Sequence, residues 1–139
     1  MSHIEKLFIS PQKGIWQEVP SAALCAHGME KDRFAGRARQ LSLCDGAWRD
    51  KVMQSDGFCK GVGPNIVTRG LAYASLHAGD RFRLADAVIE IARVGKECHA
   101  DCACYHQEPP CLFYQNFAFA KVICGGVITA GDEMRATAQ

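Results

Sequence analysis

No stretch of the 139 residues approaches the ~18 consecutive apolar residues of a membrane-spanning helix. The opening MSHIEKLFIS places His3, Glu5 and Lys6 where an export signal needs an unbroken apolar core. A cytoplasmic chain with no membrane partner is therefore expected. Net charge is scarce too: 16 Lys+Arg stand against 15 Asp+Glu, a formal +1 at pH 7. That balance argues against nucleic acid or anionic lipid as a partner. Nucleotide and hydrolase signatures are missing. GPNIVTRG lacks the Gly-Lys-Ser/Thr ending of a phosphate-binding loop, and neither G-x-G-x-x-G nor G-x-S-x-G occurs. No repeat, low-complexity tract or linker divides the chain, so residues 1–139 read as a single domain able to form its own core.

What is present is a succession of short strands. Residues 3–9 are apolar on both parities, which suits a strand buried on both sides. Ile15–Val19 reads as a second strand, Ser21–Leu24 as a helical turn capped by Ser21, and His27–Gly36 as a polar loop. Gln40–Cys44 alternates as a strand, and Asp45 is placed to cap a helix in GAWRDKVMQ. Asn65–Thr68 is β-prone. Arg81–Leu84 and Ala87–Val94 flank Ala85-Asp86 as a hairpin, Phe117–Cys124 is a further strand closed by Gly125-Gly126, and a last strand lies near Met134. The fold class expected is mainly β, a barrel-like domain with a few short helices.

Eight cysteines are the unusual element. At roughly 6% they fall below the ~8–10% of disulfide scaffolds, and a reducing cytosol would keep them as thiols. Cys44, Cys59 and Cys124 sit in or beside apolar segments and read as packing residues. Cys98, Cys102, Cys104 and Cys111 instead fall within GKECHADCACYHQEPPC, with His99 and His106 among them. Two chemistries fit this cluster. Cys98, Cys102, Cys104 and Cys111 could ligate zinc or an iron–sulfur group, although paired C-x2-C motifs are absent. Alternatively Cys98 is a reactive thiolate at a strand's end. Lys96 and His99 would then lower its pKa, and Cys102 four residues on would be a second thiol. Such a pair suits persulfide transfer.

Other candidates are simpler. Arg33, Arg37 and Arg39 form a basic run that either solvates a face or clamps an anion such as a cofactor phosphate. Asn65 and Thr68 either bond a ligand or stabilise their own turn.

The ordered segments KGIWQEV, HGMEKDRFAG, RQLSL, NIVTRGL, LHAGDRFRLADAVIEIARVGKECH and FAKVICGGVITAGDEM resemble the MOSC domain, the molybdenum-cofactor sulfurase C-terminal domain family. The likeness runs from about Lys13 to Met134 and is greatest to the small stand-alone branch. It implies a β-barrel-like fold and a hallmark cysteine after the long strand, here Cys98. It also implies a role in carrying sulfur or handling the molybdenum cofactor. The partner would be a cysteine desulfurase, which would carry any pyridoxal phosphate, or a molybdenum-cofactor biosynthesis protein. In larger relatives the matching cysteine ligates molybdenum in an oxidoreductase, and this is the alternative reading. Two motifs depart from the family. Lys31-Asp32-Arg33-Phe34 stands where Gly-Asp-x-His is common, and Pro64 and Val67 replace an acidic residue and a threonine around Asn65.

Overall fold

The computed structural model describes residues 2–12, 15–32, 35–36, 40–53, 64–95 and 113–137. Eleven strands and one short α-helix are formed among these: β1 His3–Ile9, β2 Gln17–Val19, β3 Ser21–Cys25, β4 Gly28–Met29, β5 Leu41–Asp45, α1 Gly46–Met53, β6 Ile66–Arg69, β7 Arg81–Leu84, β8 Ala87–Val94, β9 Phe117–Cys124, β10 Gly126–Thr129 and β11 Met134–Thr137. Single 3-10 turns occur at Tyr73–Ser75 and Phe113–Asn116. No helix among the described residues is long and apolar enough to cross a membrane.

Eight strands form one sheet in the order β11-β7-β8-β9-β5-β6-β1-β2. Its pairs are antiparallel except β5 with β6, which run parallel through the crossover that contains α1. The sheet curls as a half-barrel until the start of β1 meets the approach to β11. There His3 bridges Glu133, and the Met134 N–H donates to the Ser2 carbonyl at 3.0 Å. The remaining strands, in the order β10-β3-β4, form a small sheet. Its inward residues Ala22, Leu24, Met29 and Ile128 join the same core as Leu7, Leu43, Ile66, Ile89 and Ile91 of the large sheet.

Period-two alternation explains why these segments are strands. Ala87, Ile89 and Ile91 of β8 point inward while Val88 and Glu90 point out. The β7–β8 hairpin pairs Arg81 with Glu90 and Leu84 with Ala87, as its alternation predicts, and Ala85 in the turn takes φ 54°. The capping expectation also holds: Asp45 Oδ2 accepts the Trp48 N–H at 3.3 Å at the start of α1.

Two local expectations are corrected. Ser21–Leu24 is not a helical turn but part of β3, with Ala22 and Leu24 buried on one side. Its alanines and leucine favour helix in isolation, but pairing with β10 from Thr129↔Ser21 to Gly126↔Leu24 overrides that weak preference. His27–Gly36, expected as a polar loop, contains the buried pair Gly28 and Met29 of β4, and residues 126–129, to which the sequence assigns no element, form β10. Gly125 is what allows the chain to pass directly from β9 into β10. A Cβ there would lie 2.6 Å from the Leu24 carbonyl oxygen, a backbone atom with little room to give.

Candidate functional site

The strand registers gather several ends at one rim of the large sheet. Asp45 at the end of β5 pairs with Thr68, Arg69 at the end of β6 pairs with His3, and Val94 at the end of β8 pairs with Ala118 near the start of β9. Beyond Val94 the chain turns at Gly95, whose φ of 89° favours glycine. The Gly95 N–H donates to the Phe117 carbonyl at 2.6 Å. In the sequence the cysteine-bearing stretch follows Gly95 and precedes the 3-10 turn at Phe113–Asn116. Lys96, Cys98, His99, Cys102, Cys104 and Cys111 lie outside the described residues, as do Arg33, Arg37 and Arg39.

Arg69 organises the rim. Its guanidinium binds Glu5 of β1, and its Nη2 donates to Asp50 Oδ2 of α1 at 2.6 Å. These two bonds, Glu5 first, hold the Arg69 pKa above the ordinary arginine range. One side chain thereby ties β6 to β1 and to the helix that follows β5. Just inside, the Thr68 hydroxyl donates to the Cys44 carbonyl at 3.3 Å and lies 2.8 Å from the Tyr73 hydroxyl. Burial pushes the Tyr73 phenol well above its ordinary pKa; the bond to Thr68 opposes this, and Cys44 and Asp45 add to it.

Asn65 and Thr68 were candidates for holding a cofactor, and the structure gives both a different task. Asn65 is 1% exposed and Thr68 is fully buried. Asn65 Oδ1 accepts from the Ser42 N–H at 3.0 Å and from the Ser42 hydroxyl at 3.3 Å, while its Nδ2 donates to the Phe8 carbonyl at 3.3 Å. The Asn65 N–H in turn donates to Ser42 Oγ at 3.1 Å. These polar atoms join strands β1, β5 and the start of β6. Of the five side chains assigned to the implied molybdenum cofactor, the two described, Asn65 and Thr68, are engaged internally. Nor do the described residues contain a group of three metal-ligating side chains.

The packing cysteines divide. Cys44 is fully buried beside Phe8, Val67 and Phe117, as expected. Cys124 is exposed, contrary to expectation, because it sits at the outer end of β9, where the strand leaves the sheet for β10. Apolar neighbours in sequence did not carry that information.

The structure also shows two features that the sequence reading passed over. Lys31 takes φ 69°, a left-handed conformation, at the position where the resembled family commonly has glycine. The next residue, Asp32, is buried, and its Oδ1 accepts the Ser10 N–H at 2.7 Å, which fastens the turn after β4 to the end of β1. The second is a cleft of about 330 Å³ beside Tyr73–Ser75, lined by Leu71, Leu76, Asp80, Arg81, Phe82 and Thr137. It holds none of the residues singled out from the sequence.

No protein-family model matches the chain, and no curated protein matches it significantly in sequence. Solved structures do resemble it. The YuaD protein from Bacillus subtilis superposes with a TM-score of 0.73 at 16% identity, covering 100% of this chain and 98% of that one. YiiM from Escherichia coli gives 0.67 at 19% identity, covering 100% and 71%. YiiM from Geobacillus stearothermophilus gives 0.69 at 15% identity, covering 99% and 76%. Identities this low establish likeness of fold. YiiM is a MOSC-domain protein, and the likeness is consistent with a MOSC-type fold.

Proposed function

We propose that the chain is a sulfur-carrier domain of the MOSC type that handles sulfur for molybdenum-cofactor chemistry, with Cys98 as the sulfur-bearing thiol. The observation that supports this most is the exit at Gly95. The long strand β8 ends at the sheet rim, the Gly95 N–H donating to the Phe117 carbonyl fixes the exit, and Cys98 follows three residues after Gly95. Covalent reach keeps the Cys98 Cα within about 11 Å of Gly95. A thiol this close in sequence to a fixed rim suits exchange with a partner protein, since functional groups are commonly carried beside a rigid scaffold. The MOSC-type fold supports the same assignment.

The transfer is a displacement at sulfur. The Cys98 thiolate attacks the outer sulfur of a partner desulfurase's cysteine persulfide. The partner's S–S bond breaks, its cysteine leaves as thiolate, and Cys98 carries the persulfide. Lys96 and His99 would favour the thiolate electrostatically. Cys102 would be the second thiol, able to attack the persulfide, form a disulfide with Cys98 and release hydrosulfide.

Incubation with a cysteine desulfurase and cysteine should add the mass of one sulfur atom, removable by reductant. Cys98→Ser should lose the adduct, because a hydroxyl is a far poorer nucleophile near neutral pH. Cys102→Ser should keep it and prolong its life. An adduct undiminished in Cys98→Ser would remove Cys98 from the role. Molybdenum with a pterin in the purified protein would shift the assignment to an oxidoreductase with Cys98 as metal ligand. Stoichiometric zinc or iron would shift it to a structural metal module built on Cys98, Cys102, Cys104 and Cys111.

A further inference from the structure

We infer that Arg49, lying over Phe8 on the outer face of the large sheet, is the centre of an oxyanion-binding site. Parity separates the two faces. Leu7, Leu43, Ile66 and Ala118 enter the main core, while their neighbours Phe8, Cys44, Val67 and Phe117 form a second cluster on the other side. Trp16, Trp48 and Phe119, each half-buried, pack against that second cluster. The helix α1 carries two cations onto this aromatic surface. The Arg49 guanidinium stands 4.9 Å from the Phe8 ring centroid, and Lys51 Nζ stands 4.2 Å from that of Trp48.

The decisive feature is the Arg49 Nε–H. It is buried and has no hydrogen-bond acceptor, alone in this respect among the buried side-chain nitrogen and oxygen atoms of the described residues. Arg69, Arg81 and Arg135 each pair with a carboxylate. The acids adjacent to Arg49 are engaged elsewhere: Asp45 caps α1 and Asp50 binds Arg69. Glu18, the cross-strand partner of Phe8 on the same face, makes no ion pair with it among the described residues. A donor withdrawn from water and left unbonded is costly, and native proteins rarely keep one without an acceptor to meet it.

The chemistry selects the acceptor. The Nε–H and one Nη–H of a guanidinium form a fork that a carboxylate or phosphate accepts through two oxygens. The aromatic ring beneath retains the cation by its negative face, and the apolar surroundings strengthen a charge-assisted bond. The ligand is thus a carboxylate or phosphate group, free or borne on a larger molecule.

The test uses the full chain, with inorganic phosphate and acetate titrated separately against chloride at constant ionic strength. Binding is followed by calorimetry and by the tryptophan fluorescence of Trp16 and Trp48. At least one anion should bind saturably. Arg49→Met should weaken it at least tenfold, Arg49→Lys should weaken it less, and Arg83→Met, at an exposed arginine elsewhere, should leave it unchanged. Preference for phosphate or acetate identifies the class of group. Binding undiminished in a folded Arg49→Met, or no saturable binding of either anion to the wild type, overturns the site. So does equal weakening by Arg83→Met, which would reveal non-specific attraction to positive charge.

Discussion

Gly46 and Arg69 are fitted to each other: a Cβ on Gly46 would lie 2.7 Å from Arg69 Nε and 3.1 Å from Glu5 Oε1. The first residue of α1 has no side chain because the arginine that links β6, β1 and the helix passes through that space. Gly46→Ala should therefore cost about 1 kcal/mol in the wild type, through displacement of a partly exposed ion-pair network. In an Arg69→Ala background the same substitution should cost little, since the Arg69 Nε is gone and alanine favours helix. Urea denaturation of the four proteins gives the coupling directly; additive effects would contradict the fit.

Lys31 offers the opposite opportunity. A non-glycine residue at φ 69° carries a steric penalty of about 1 kcal/mol. Lys31→Gly should recover much of that, less the greater freedom glycine has when unfolded, and raise the denaturation midpoint. Lys31→Val, β-branched, should lower it.

Asn65 tests the distinction between scaffold and ligand site. Asn65→Ala leaves the Ser42 N–H and the Phe8 carbonyl without their partner. A loss of about 2–4 kcal/mol in stability is expected, each orphaned buried group costing about 1–3. Any persulfide formed on Cys98 should survive in the fraction that remains folded. A variant of wild-type stability would show that the bonds to Ser42 and Phe8 contribute little.

The thiols should separate by exposure. Cys124 should react early with a soluble alkylating agent, and Cys44 should label only when the protein unfolds globally. Peptide mapping by mass spectrometry over a time course reads both. Early labelling of Cys44 would mean that the outer cluster opens locally.

Acid sensitivity should trace partly to Glu90. Its carboxylate, bonded to Arg81 at 2.9 Å and to Lys121 at 3.2 Å, has a pKa lowered by Arg81 first and Lys121 next. A carboxylate depressed on folding stabilises fully above its unfolded pKa and loses that contribution as pH falls through the folded value. Below pH ~4.3, the ordinary glutamate range, wild-type stability should decline more steeply than that of Glu90→Gln. Parallel acid limbs would show that the exposed network is screened to nothing.

The sheet was legible in the sequence because strand identity is a local property. The β7–β8 hairpin, β5, β9 and the cap at Asp45 all follow from alternation, β-branching and turn chemistry within a dozen residues. Ser21–Leu24 was misread because its state depends on β10, a segment a hundred residues away. Asn65 and Thr68 looked like ligand groups because their partners, Ser42, Phe8 and Tyr73, converge only in three dimensions. Cys124 misled for a related reason: hydropathy reports which residues are apolar, not where a strand runs out of sheet. Cys98 is singled out by residue chemistry and family resemblance alone, and Arg49 was missed because a guanidinium in a polar helix announces nothing until its neighbours are known.

The bond from Gly95 to Phe117 has an architectural consequence. It closes the chain on itself at the sheet rim, so the intervening segment begins and ends at adjacent points. The entropic cost of such a closed loop grows only slowly with its length, about 0.6 kcal/mol per doubling. The clamp is a bond between backbone groups, so side-chain substitutions between Gly95 and Phe117 leave its donor and acceptor in place and β8 and β9 keep their register.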